Sequence, residues 1–401
     1  MNLVSLKLSV RPLLQSILKP FFSEVDVASS YEYSFIKKKG YHCFVGYYDH
    51  DPVSSGSGLL LYHRVATSFS GDIEPPRGEL CVYSVKDKSD RCIAITHALN
   101  WQLASRAQWL FDSSIIFNDI EAGVHCSKVL DLDSGSVIKT FSRSIWAVSR
   151  DKTIGASLNF SRISRKRPGY GYRGESVDGS DEVLKLFSLS DGEIMYSISL
   201  RSMLERLGCQ ELLDKDAYLN HVAWSYSATK FLTIFHIEET AFSPRMIYPV
   251  VIDFAKDTID LIHSTGFFSH HVWLSGDRLL AYIELDGTRC YALWHESSGW
   301  QMVADSMPLH DGHPSPVPGT DNVVVDGYPN RLGRMPLYLG SIDGCSAPKR
   351  IAMITSRGSY SGALRCDLHP RVSVGEKLVI CDVPATQGRK ILIVEGVLGE
   401  K

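Results

Sequence analysis

The nine cysteines, at 43, 81, 92, 126, 209, 290, 345, 366 and 381, include no CxxC pair, and their number is odd. This excludes a zinc-finger spacing and a complete disulfide framework. Free thiols in that number fit a reducing compartment, the cytoplasm. There is no excess of positive charge either. The net charge is -3, so no global basic field argues for nucleic acid. Nor does the N-terminal stretch MNLVSLKLSVRPLLQSILKPFFSEV hold a membrane-spanning run, because Lys7, Arg11, Pro12 and Lys19 interrupt it. It also lacks a compact apolar segment followed by a small-residue cleavage site. Its Leu13, Leu14, Ile17, Leu18 and Phe21 form an amphipathic stripe instead. That stripe predicts an N-terminal helix within residues 1–30, packed on the domain or associated weakly with a membrane surface.

What the chain does have is a worn repeat. The stretches NHVAWSYSATKFLTIFH (220–236), HHVWLSGDRLLAYIE (270–284), GHPSPVPGTDNVVVDGY (312–328) and LHPRVSVGEKLVICDV (368–383) share one plan. Each has a histidine, a turn rich in small or polar residues, then an apolar strand. Looser copies lie at 49–64, 106–119 and 145–160, which makes seven units. The step from histidine to strand is nearly constant: nine residues from His50 to Leu59, ten from His221 to Phe231, eight from His271 to Leu279, ten from His313 to Val323 and nine from His369 to Leu378. Arg106 and Ile145 or their neighbours hold the matching places in units two and three. Further short strands fall between the units, as in LCVYSV (80–85) and ILIVEG (391–396).

Seven such units predict an all-β fold, a seven-bladed β-propeller over residues 31–401. The segment YEYSFIKKK is expected to pair into the last blade and close the ring, removing free sheet edges. Between units three and four the spacing widens, which predicts an insertion of a Gly- and Arg-rich loop (162–182) and a helix (199–215).

Residues at one register of successive blades point to one axial region. His50, His221, His271, His313 and His369 are therefore expected to converge on the channel. Imidazoles so gathered can hold a transition metal or move protons. Cys366, three residues before His369, would favour zinc if it joined them. A second cluster, NFSRISRKRPGYGYRG, brings Asn159, Arg162, Arg165, Lys166, Arg167, Tyr170, Tyr172 and Arg173 together. Arginine forks and tyrosine faces suit a carboxylate-bearing ligand. Other candidates at unit ends are Asp49, Asn100, Trp101, Gln108, Tyr328, Arg331, Arg334, Arg365 and Arg371.

The pieces GYYDHDPV (46–53), SLNFSRISRKRPGYGY (157–172), NHVAW (220–224), SHHVW (269–273), DGHPSPVPGTDNVVVDGYP (311–329) and RCDLHPR (365–371) resemble bacterial seven-bladed propellers related to oligogalacturonate lyases. Some members of that group are uncharacterised proteins of polysaccharide gene clusters. The resemblance implies β-elimination on a uronic-acid oligosaccharide or polysaccharide, with a divalent transition metal, zinc or manganese, in the channel. By the same resemblance His271, His313, His369 and Cys366 are expected as metal ligands and His221 as the base. Arg167 and Tyr172 would neutralise the carboxylate and donate a proton, with Arg162, Tyr170, Asn159 and Arg371 binding substrate. Arg371 stands where the family pattern has another histidine. A non-catalytic propeller binding glycan or protein in capsule or O-antigen assembly is the alternative.

Overall fold

In the computed structural model of the chain, the described residues are 21–399 apart from 70–75, 180–182, 238–245, 265, 304–305, 345 and 358–359. They form seven antiparallel sheets arranged as the blades of a propeller. Strands β1 (Val25–Val27) and β2 (Glu32–Ile36) come first and belong to the last two blades. Blade one is β3 (Tyr41–Phe44), β4 (Leu59–Ala66), β5 (Gly78–Ser84) and β6 (Ser89–Thr96). Blade two is β7 (Gln108–Phe111), β8 (Ser114–Glu121), β9 (Val124–Asp131) and β10 (Ser136–Phe141). Blade three is β11 (Ala147–Val148), β12 (Ile154–Ser157), β13 (Val183–Ser188) and β14 (Ile194–Ser199). Blade four is β15 (Ala217–Trp224), β16 (Lys230–Ile237), β17 (Met246–Asp253) and β18 (Thr258–Leu261). Blade five is β19 (Phe268–Leu274), β20 (Arg278–Leu285), β21 (Thr288–His295) and β22 (Gly299–Met302). Blade six is β23 (Pro314–Pro316), β24 (Asn322–Asp326), β25 (Arg334–Ser341) and β26 (Lys349–Thr355), with β1 outside it. Blade seven is β27 (Arg371–Ser373), β28 (Leu378–Ala385) and β29 (Gly388–Glu395), with β2 outside it.

The ring closes as expected, with β2 pairing antiparallel to β29 from Glu32↔Glu395 to Ile36↔Ile391. Blade six takes in β1, which pairs with β26. Residues 25–27 are thus strand, inside the segment expected to be helical. The amphipathic stripe from Leu13 to Leu18 lies outside the described residues. No helix among the described residues is long and apolar enough to cross a membrane.

The second strand of a blade is covered on both faces, so its sequence reads as a nearly unbroken apolar run. Every residue of β16 and of β28 is buried. The core lies between blades: Leu61, Leu80 and Val82 of blade one pack with Trp109, Ile115 and Phe117 of blade two. A polar residue interrupts the run at the fifth position of four second strands: His63, Asn118, Asp326 and Asp382. Each is buried; the first three bond to the segment leading into the next blade, and the fourth to the residue just after β3. Their partners are Ser105 Oγ (2.7 Å), the Ile145 N–H (2.6 Å), the His369 N–H (3.1 Å) and the Val45 N–H (2.9 Å) respectively. These four links tie a blade to the innermost segment of the next, where the channel residues lie.

The expected insertion divides in two. The first part falls within blade three, between β12 and β13, and begins with helix α1 (Phe160–Lys166), capped by Asn159. Only the second part joins blades three and four, and its helix α2 (Leu200–Arg206) is shorter than expected. A 3₁₀ turn at Gln210–Leu212 follows it.

Candidate functional site

The innermost strands start at one end of the channel, here the proximal end, and turn back into their hairpins at the distal end. At the proximal end His313, just before β23, and His369, just before β27, bring their rings to 4.3 Å between centroids. Asp367 joins them, and one ligand atom from each of the three lies within 4.8 Å of the others. All three are buried.

Their orientation is enforced. Asp326 accepts from the His313 backbone N–H (2.7 Å), from His313 Nδ1 (2.9 Å) and from the His369 N–H (3.1 Å). His369 Nδ1 lies 2.8 Å from the Gly46 carbonyl, which can only accept, so Nδ1 carries the proton and Nε2 the lone pair. That Nε2 is buried and has no hydrogen-bond partner. Burial disfavours the His313 imidazolium, but Asp326, Asp367 and Asp311 outweigh it and raise its pKa. His369 moves far down, through burial and then the charges of His313 and Arg371.

Beside this group His270 stands 4.0 Å from His313, with Nδ1 3.0 Å from Asp311 and Nε2 3.3 Å from the Tyr328 hydroxyl. Arg365 donates through Nε to Asp367 (2.9 Å) and through Nη2 to the Tyr170 hydroxyl (2.8 Å). Arg167 lies over the Tyr170 ring at 3.9 Å. A cationic and aromatic arm therefore adjoins the histidine–carboxylate group.

The channel is blocked at mid-depth. Between β3 and the bridge from Val53 to Leu60, the chain bulges inward. Tyr47 then packs against His221 (5.3 Å) and His369 (5.0 Å), and Tyr48 against His313 (5.1 Å). The Tyr48 hydroxyl donates to the His271 carbonyl (3.0 Å) and accepts from the His271 N–H (3.2 Å). Asp49 receives a bidentate pair from Arg106 (2.8 and 2.9 Å), the residue at the matching register of blade two. Arg106, His221 and His369 all have positive φ, of 54°, 64° and 44°. At His221 this is a β-bulge between Asn220 and Val222, a device that re-aims a side chain out of the pleat.

The expected histidines are thus divided by the two tyrosines. His313 and His369 meet proximally, whereas His50, His221 and His271 line a distal chamber. Cys366 is a buried thiol pushed up to about 12, chiefly by burial, and its Sγ is 3.9 Å from the Asp367 carbonyl. It is not one of the three grouped ligands, and neither is His271. Tyr172 is stacked on Phe160 at 4.6 Å and hydrogen-bonded to Asn118, away from the grouped ligands. Arg162 pairs with Asp216 and the Ala217 carbonyl, and Asn159 caps α1. Arg371 is wholly buried. It donates to the carbonyls of Gly46 and Tyr47 and to Asp382, so it anchors the inward bulge and does not face the channel's cationic arm.

Asp367, Asp326, Asp311, Tyr47, Tyr48 and His270 were not singled out in the sequence. A signal for two of them was present: Asp311 and Asp367 each stand two residues before a channel histidine, as DGH and DLH.

Fold and site together define a seven-bladed propeller whose channel carries a buried histidine–carboxylate group. No protein-family model and no curated protein matches the sequence. Among solved structures, an oligogalacturonate lyase from Vibrio parahaemolyticus is similar over 93% of this chain and 98% of its own, with TM-score 0.59 and 11% identity. An oligogalacturonate lyase in complex with manganese is similar over 91% and 96%, with TM-score 0.59 and 12% identity. The propeller domain of the Trilobed protease from Pyrococcus furiosus follows, over 90% and 98%, with TM-score 0.52 and 12% identity. The seven-bladed arrangement is that of the oligogalacturonate lyases, and at these identities the likeness is one of fold.

Proposed function

We propose that the protein is a metal-dependent lyase that cleaves a uronic-acid-containing oligosaccharide or polysaccharide by β-elimination at the proximal end of its channel. The observation that carries this reading is the convergence of His313, His369 and Asp367 beside Arg365 and Arg167. The three donors fit a divalent cation: a buried, unpartnered Nε2, a second imidazole turned by a carboxylate, and a third group of opposite charge. Two imidazoles and a carboxylate are a donor set that zinc and manganese both accept. The manganese held by one similar structure favours the second. When bound, the cation would draw charge from the uronate carboxyl and so acidify its C5 proton.

The chain's own groups do the rest. Arg365 and Arg167 bind the carboxylate, and the Tyr170 face supports the sugar ring. Asp311 holds the His270 Nδ1–H, which leaves Nε2 to take the C5 proton while Tyr328 Oη gives its proton to the departing C4 oxygen; the proton then returns from Nε2 to Oη. His221, expected as the base, lies beneath Tyr47 and is assigned no step. Arg371 positions the Tyr47 bulge. We place the reaction in the cytoplasm, from the free thiols, and the weak membrane-surface contact on the N-terminal segment, residues 1–30.

Purified protein should hold one equivalent of metal and produce an unsaturated uronate, read by ultraviolet absorbance, from an acidic oligosaccharide. His313→Ala should lose both metal and activity. A protein that binds the glycan but yields no unsaturated product, with metal restored, is instead the glycan-binding propeller of the alternative reading.

A further inference from the structure

The distal chamber encloses about 530 Å³, between the two channel tyrosines and the innermost hairpin turns. None of His313, Asp367, His369, Arg365 or Tyr328 lines it, so it is separate from the proximal group. Its volume is that of a small-molecule site. Its wall holds two buried nitrogens with no partner, His271 Nδ1 and Trp224 Nε1, and the indole nitrogen can only donate. An unpaired buried donor costs free energy unless a ligand or water satisfies it.

The mouth adds charge. Arg150 and Lys152, on the turn between β11 and β12, line the chamber, and neither forms an ion pair among the described residues. Burial and then the adjacent Arg150 push the Lys152 ammonium below its usual range, the mark of cations held together without enough counter-charge. Asp151 beside Lys152 and Asp277 near Arg150 offset part of this charge, but neither forms an ion pair with them among the described residues: Asp151 bonds to Ser149 and Thr153, and Asp277 to Ser227. Asp49 is taken by Arg106, and Asp112 by Ser54 and the Gly56 N–H. The Asp51 carboxyl is pushed up to about 7, chiefly by burial.

We propose that the distal chamber is a second ligand site, for a small sugar-sized anion bearing a carboxylate or a phosphate. Arg150 and Lys152 neutralise the anionic group, and His271 and Trp224 offer hydrogen-bond positions deeper in. The site is independent of the lyase reading and stands or falls apart from it.

The test titrates His313→Ala/His369→Ala protein, whose proximal group is disabled, with galacturonate, inorganic phosphate and neutral galactose by calorimetry. Saturable binding of galacturonate or phosphate is expected, with galactose at least tenfold weaker. Adding Arg150→Gln/Lys152→Gln, the first exposed and the second half-buried, should weaken the anion at least tenfold. Galacturonate alone would mark a uronate site, and phosphate as well a general anion site. No saturable anion binding, galactose binding equally well, or affinity unmoved by the Arg150/Lys152 change overturns the proposal. If the doubly substituted background does not fold, hydrogen exchange on the unaltered protein decides. Anion-dependent protection must then appear at residues 51–55 and 149–153, and its absence there is equally fatal.

Discussion

Asp326 shows how far one buried carboxylate can organise a site. It holds two histidines from two blades and is itself almost inaccessible, so removing it strands His313 in a dry pocket. Breaking such a pair by losing one partner costs about 3–5 kcal/mol. Asp326→Ala should therefore lower the urea-unfolding free energy by about that much and weaken metal binding about 10–100-fold. Unchanged metal affinity would show that Asp326 does not orient the ligands. His63 illustrates the opposite case, a histidine that the fold keeps neutral. Burial, then the charge of His50, lowers its pKa to about 3. The unfolded chain thus binds a proton below about 6.5 that the folded chain refuses, so this contribution is full above 6.5 and falls as pH drops toward 3. Between pH 6 and 4, His63→Gln, which can keep the bond to Ser105, should show a shallower loss of stability, by about 1.4 kcal/mol per pH unit. Parallel pH profiles for the two proteins would refute the assignment. The residue types that the repeat exposed were the histidines, because a rare side chain at a fixed register is visible. Asp326 and His63 sit inside apolar strands, where a single polar letter carries no period of its own.

At the scale of elements, the second and third strands of the blades were the most legible. Leu59, Leu279 and Val323, expected to open strands, do so to within one residue at β4, β20 and β24. Such strands are buried on both faces and write themselves as apolar runs. Apart from β2, the outermost strands were missed. β10 and β22 are largely exposed, so neither an apolar run nor a clean alternation marks them. The inward bulge at 45–50 was also illegible as structure, though GYYDH was noted as a motif. Its shape comes from long-range bonds, not local propensity: the Val45 and Gly46 N–H groups both donate to Asp382, some 340 residues away. Asp382→Ala should release that bulge while leaving most of blade seven folded. Amide exchange at Val45 and Gly46 is then expected to rise at least about tenfold, the equivalent of 1.4 kcal/mol of local opening. If those amides stay as protected as before, the bulge is held by Arg371 and the tyrosines' packing without Asp382.

For the whole molecule, stability rests on closing the ring with strands from the wrong end of the chain. Blade seven takes three strands from residues 371–395 and its fourth from residues 32–36, and blade six gains β1 from residues 25–27. The sequence disclosed the first closure, because YEYSFIKKK alternates like an edge strand, but not the second, whose three residues are too few to show a period. The two closures bind the C-terminal blades to the N-terminus and cover the outer edges of β26 and β29. Deleting residues 1–36 would uncover both edges and remove Ile36 and Phe35 from the packing around blade seven. An uncovered edge pairs with other chains, so association is expected along with a fall in melting temperature of about 10 °C. A synthetic peptide of residues 22–37, added in trans, should restore part of that loss and return the protein to its original size on gel filtration. The proximal histidine group, carried by blades six and seven, should lose metal in the deleted protein and regain it with the peptide. A deletion protein with unchanged melting temperature and size would mean that the ring holds by inter-blade packing alone, and that the N-terminal strands close nothing.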